Sequence, residues 1–91
     1  MIRKEILERA LRLVTQDREG THGNPSALFA DISRYWNIYL HGRNGPISES
    51  DVAMLNLLQK VARTQHGSFN EDDYIDMAGY ASLAAELETL E

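Results

Sequence analysis

The sequence predicts an all-α fold. Apolar residues recur at spacings of three and four through most of the chain. No segment sustains the apolar–polar alternation of a strand. Asn24, Ser48 and Asn70 each stand just ahead of an apolar-periodic run, where a helix N-cap belongs. Both prolines and all glycines except Gly79 fall between those runs, as residues that interrupt helices should. Four helices in one domain, residues 1–91, are expected.

The first helix is expected from Ile2 to Gln16. Ile6, Leu7, Ala10, Leu13 and Val14 make its apolar side, while Glu5, Glu8, Arg9 and Arg12 hold the wet side. Glu5 and Arg9, four apart, are in the favourable order for an exposed pair. The second helix begins at Asn24-Pro25, a cap followed by a proline that misses no hydrogen bond at the first helical position. Phe29, Ile32, Trp36 and Tyr39 then form an aromatic-rich stripe, expected mainly as core, and Gly42-Arg43-Asn44-Gly45-Pro46 ends the helix. The third helix starts at Ser48, with Asp51 three residues on as a short capping box and Ile47 with Val52 as a hydrophobic staple. It runs through Leu55, Leu58 and Val61 to about Gln65, and Gly67 stops it. The fourth repeats the device with Asn70, Asp73, Phe69 and Tyr74, and Glu71, Asp72 and Asp73 suit the positive end of its dipole.

Composition narrows the function classes. The chain has 91 residues and no cysteine, so disulfides and Cys-based zinc sites are excluded. A core this small is marginal alone, which leaves partner subunits as the leading source of extra stability. The fourth helix is apolar over more than one face: Ala78, Ala81 and Ala85 form one stripe, and Met77, Ala84 and Leu87 another. That surplus predicts a homo-oligomer. No run approaches the ~20 apolar residues of a membrane span, and the charged N-terminus does not read as a signal peptide, so a cytosolic location is expected. The net charge is −5, with bases scattered among acids, which disfavours duplex nucleic acid as a partner.

The residues with chemistry lie on the last two helices. Asn56, Lys60 and Arg63 fall on one line of the third helix, at i, i+4 and i+7. Lys60 sits between the apolar Leu58 and Val61. Two cations three apart on one face repel unless an anion lies between them; phosphate oxygens satisfy Lys as a point charge and Arg through its planar fork. Asp73, Asp76 and Tyr80 form a second line on the fourth helix, and Asp76 is an acid between Ile75 and Met77. A short loop makes the two helices antiparallel neighbours. If the lines face each other, they form either an interhelical salt-bridge seam or a ligand site, and its acids suit Mg²⁺ or the orienting of a base or ribose. Trp36 is a secondary candidate for stacking on a nucleobase. His22, in the Thr21-His22-Gly23-Asn24-Pro25 turn, belongs to a candidate anion loop. The three histidines lack metal-ligand spacing. Gly79, inside a helix, predicts a close approach by a backbone or ligand, since glycine costs ~1 kcal/mol there relative to alanine.

Three segments carry a resemblance. They are Arg18…His22-Gly23-Asn24-Pro25…Phe29…Ile32…Trp36; Asp51-Val52-Ala53-Met54…Leu58…Lys60-Val61-Ala62-Arg63; and Asp73…Ile75-Asp76-Met77-Ala78-Gly79-Tyr80-Ala81. Nearly the whole chain resembles a family of small phage and prophage proteins, themselves similar to MazG-like all-α nucleoside triphosphate pyrophosphohydrolases. That resemblance implies a four-helix MazG-like bundle, a dimer or tetramer, and Mg²⁺ held by a Glu-x-x-Glu helix and a Glu-x-x-Asp helix. Asp73-x-x-Asp76 stands for the second acidic motif. The first has no counterpart, and Lys60-x-x-Arg63 occupies the facing helix.

Three functions follow as expectations. The first is a phage nucleotide-binding protein that sequesters a nucleotide or cyclic nucleotide signal without turnover. Its ligand contacts would come from Lys60, Arg63, Asn56, Asp73, Asp76, Tyr80, His22 and Trp36. The second is a Mg²⁺-dependent pyrophosphohydrolase with metal on Asp73 and Asp76, aided by Asp51 or Glu71. The third is an interaction module that binds a host protein through the fourth helix.

Overall fold

The computed structural model describes residues 1–17 and 24–90. Its helices are α1 (Arg3–Arg12), α2 (Pro25–Leu40), α3 (Glu49–Thr64) and α4 (Glu71–Thr89). No strand occurs among the described residues. The fold is all-α, as the spacing predicts.

Three of the helix starts follow from side-chain chemistry. The Asn24 carboxamide oxygen accepts from the Ser26 and Ala27 N–H groups at 2.8 and 3.2 Å. Ser48 and Asp51 close a reciprocal box: Asp51 N–H donates to Ser48 Oγ at 3.1 Å, and Ser48 N–H donates to Asp51 Oδ2 at 2.8 Å. Asn70 accepts from Asp72 N–H at 3.0 Å. Here the expectation needs correcting, because no return bond from Asp73 closes a box on α4. The Phe69–Tyr74 staple does form, with ring centroids 5.7 Å apart. Gly42 and Gly67 hold positive φ (76° and 70°) just past the ends of α2 and α3, a region costly for other residues.

α3 is the central helix, packed against α2 and α4. The α2–α3 core is Leu28, Ile32 and the fully buried Ala62, with Tyr35 and Trp36 against it. Ala62 has no side chain beyond Cβ, so the two backbones can come close. Leu55, Ala53 and Ala84 are the remaining buried apolar residues among those described. Burying a leucine or isoleucine contributes ~1.5–3 kcal/mol, so this core is small even for its size.

Two further expectations are corrected. The buried stripe of α2 runs through Leu28 rather than Phe29, which is 65% exposed. Leu28, Ile32, Tyr35, Trp36 and Tyr39 share one face at helical spacing, and Phe29 lies ~100° round from Leu28. α1 ends sooner than Gln16 and passes into a π-helical turn, Leu13–Asp17. There the Thr15 hydroxyl donates to the Leu11 carbonyl. Such back-bonding competes with the α ladder and distorts it. No residue of α1 is buried. Among the described residues no ion pair involves its charges, the expected Glu5–Arg9 pair included.

Candidate functional site

Polar clusters lie on both flanks of α3. On the α2 flank, Asp51 is buried and fully engaged. It accepts from Ser48 N–H, from the Tyr39 hydroxyl at 2.7 Å, and from Arg43 Nη1 at 2.7 Å. Arg43 also lies over the Tyr39 ring, 4.7 Å from its centroid. The Ser48 backbone N–H above all, then the Tyr39 hydroxyl, hold the Asp51 carboxyl down at about 2. Burial, followed by the hydrogen bond to Asp51, pushes the Tyr39 hydroxyl up. At the other end of the α2–α3 interface, Asp31 binds His66 Nε2 at 2.7 Å and Arg34 at 2.7 Å. The His66 hydrogen bond is the main reason its carboxyl titrates below the usual range.

On the α4 flank, Ser50 Oγ donates to the Ala84 carbonyl at 3.0 Å, and Lys60 Nζ pairs with Asp76 Oδ2 at 2.9 Å. These contacts fix an antiparallel register in which Asn56 is level with Tyr80 and Arg63 is level with Asp73. The two polar lines therefore face each other. The pair is asymmetric: the Lys60 side chain is 18% exposed and that of Asp76 is 44% exposed. Arg63 Nε is buried and has no hydrogen-bond partner among the described residues. Asp73 is 5% exposed. Among the described residues no side-chain hydrogen bond or ion pair reaches its carboxylate. Asn56 and Tyr80 are half-buried.

The other candidates lie elsewhere. Trp36 is half-buried in the α2–α3 interface, and its indole N–H donates to the Leu55 carbonyl at 2.9 Å. That bond ties the ring to the core side of α3. His22 lies outside the described residues. Gly79 departs from its expectation: a Cβ placed there would meet nothing within 4 Å among the described residues. The Arg43–Tyr39–Asp51 cluster was missed as a unit. Its signal was a buried phenol in need of a partner, close to a capping acid.

A family model for a phage protein domain, Domain of unknown function (DUF6378), matches residues 5–88. The chain belongs to this family. It is similar to the Gene 55 protein of Mycobacterium phage D29, 40% identical over 84 residues, which covers 92% of this chain and 54% of that protein. It is also similar to the Gene 55 protein of Mycobacterium phage L5, 27% identical over 83 residues, 91% of this chain and 52% of that protein. The chain thus spans about half the length of the curated relatives it matches. No solved structure matches it. No helix among the described residues is long and apolar enough to cross a membrane.

Mg²⁺ needs a near-octahedral shell of oxygens. Asp73 and Asp76 offer two carboxylates, and the Lys60 ammonium already holds one of them. Asp51 cannot join: its neighbour Ser50 bonds Ala84, eleven residues beyond Asp73, or ~16 Å along α4. Glu71 is exposed at the helix start. Among the described residues no three His, Asp or Glu side chains gather in a metal-holding group. This donor set does not fit a resident Mg²⁺ ion. What the seam offers is a half-buried guanidinium with a buried Nε, and an ammonium with an exchangeable partner, which is a set of anion donors.

Proposed function

We propose that this protein binds a nucleotide, or a nucleotide-derived signal, in the α3–α4 seam and holds it without turnover. The observation that carries the reading is Arg63 Nε, buried and without a partner among the described residues, one helical turn from Lys60. A buried charged donor without an acceptor is costly, and an oxyanion removes that cost. Lys60 can exchange the half-exposed Asp76 for a phosphate oxygen, and a guanidinium beside it grips a second. Asn56, Tyr80 and the released Asp76 are then available to a base or ribose. Asn56, Tyr80 and Asp76, on the same seam as the two cations, support a nucleotide as the ligand class over a bare anion. The lack of a metal-holding carboxylate set among the described residues favours sequestration over hydrolysis. Under this reading the protein acts on the nucleotide pool of the host cytosol.

A second reading, an interaction module, is favoured by the exposed apolar side chains of α1 and α4, among them Ile6, Leu7, Leu11, Ile75 and Leu83.

The test is incubation with a mixed nucleotide panel, cyclic dinucleotides included, with Mg²⁺. Desalting, denaturation and mass spectrometry of both fractions follow. An intact nucleotide carried by the wild-type protein and lost from Arg63→Ala is expected. A monophosphate product would make the protein a hydrolase. No carried nucleotide would leave the interaction module.

A further inference from the structure

α1 and the outer face of α4 are both apolar, both exposed and oppositely charged. On α1 and the residues that flank it, Ile2, Ile6, Leu7, Leu11, Leu13 and Val14 are all between 50% and 68% exposed. The helix carries Arg3, Lys4, Arg9 and Arg12 against Glu5 and Glu8. In helical projection Arg9 and Lys4 border the two edges of the apolar arc. α4 has six acidic residues and no basic one. Asp73 and Asp76 turn toward α3, which leaves Glu71, Asp72, Glu86 and Glu88 exposed around Tyr74, Ile75, Ala78, Ala81, Ser82, Leu83 and Ala85. Gly79 belongs to the same face, and a Cβ there would meet nothing among the described residues. A glycine there costs helix stability with no return inside one chain, but it lets a second helix approach closely.

We infer that α1 of one copy docks on the outer face of α4 in a second copy, forming a reciprocal dimer. Apolar side chains meet at the centre, and the bases of α1 meet the acids of α4 at the rim. Opposite net charge on the two faces argues for this pairing over α1 on α1 or α4 on α4, each of which sets like charges together. Reciprocity doubles the contact, which helps it reach the ~800 Å² per partner of a stable interface. The inference is independent of any ligand in the α3–α4 seam.

The absence of native cysteine makes a clean test possible. Leu7→Cys and Ser82→Cys chains, one of them carrying a mass tag, are mixed and oxidised. The mixed disulfide should exceed either like-with-like product. Light scattering at micromolar concentration should give a dimer. Ile6→Glu should weaken the dimer by roughly tenfold or more, as the loss of an apolar interface anchor does. Ile6 is exposed within the chain, so circular dichroism should stay unchanged. Raised salt should weaken the dimer further. A monomeric wild type would overturn the inference. So would a dimer that cross-links only like with like, or one untouched by Ile6→Glu.

Discussion

Asp51 and Asp73 are both buried carboxylates in the first turn of a helix, at the third position after the cap. Asp51 has three donors around it, drawn from its own cap, from α2 and from the loop between them. Asp73 has none among the described residues, and level with it on α3 lies a guanidinium with a buried nitrogen left over. The first cluster is complete without a ligand, and its work is to fasten α2 to α3. The second is incomplete in the same chemical terms. Burial alone therefore does not separate a structural acid from the acid of the proposed ligand site; the two differ in their count of satisfied partners.

The isosteric pair Asp51→Asn and Asp73→Asn breaks or sharpens this comparison most strongly. Asp51→Asn removes a charged acceptor from Arg43, Tyr39 and Ser48, and should lower the melting temperature by several degrees. Asp73→Asn removes a carboxylate with no donor, and should leave melting almost unchanged. Equal losses, read by calorimetry, would erase the distinction.

Acid should probe the same contrast less severely. The folded Asp51 carboxyl titrates at about 2, below its ordinary 3.8, and that of Asp31 is also lowered. For a group depressed on folding, the stabilisation is present above the unfolded value and lost as pH falls through the folded one. Their contribution should hold from neutrality to about pH 4 and fade between there and pH 2. Asp51→Asn should show a shallower fall over that window. An unchanged slope would mean that the Asp51 cluster does not fasten the fold.

The smallest effect belongs to the cap itself. Ser48→Ala should cost ~0.5 kcal/mol, or ~2–4 °C in a domain of this size, while leaving the α3–α4 seam at the far end of α3 untouched. A loss near zero would mean that Asp51 holds the helix start without its partner.

How much of this was legible in the sequence follows from the range of the forces. The caps at Asn24, Ser48 and Asn70 involve residues two or three apart, so the chain declares them locally. The Lys60–Asp76 pair was legible because each charge sits within an apolar run and a short loop makes the helices antiparallel. The missing Asp73 return bond was not, since a capping pattern does not say whether its acid turns to the cap or to a neighbouring helix. Leu28 and Phe29 compete for one face as adjacent residues of similar hydrophobicity, and only packing against Ala62 decides between them. Arg43 reaches Asp51 from a loop, and His66 reaches Asp31 across 35 positions, so no periodicity announces either bond. The apolar side of α1 was legible as a pattern, but not its exposure, because a pattern does not name the surface it meets.

The central claim is that the incomplete cluster is a ligand site. Its most direct test is the affinity of Arg63→Ala, measured by isothermal titration with whichever nucleotide the wild type carries. Loss of one charge-assisted contact should weaken binding by ~10–100-fold, with melting of the ligand-free protein unchanged or slightly raised. Unchanged affinity, or a sharp fall in melting temperature, would contradict the claim and make Arg63 a part of the fold.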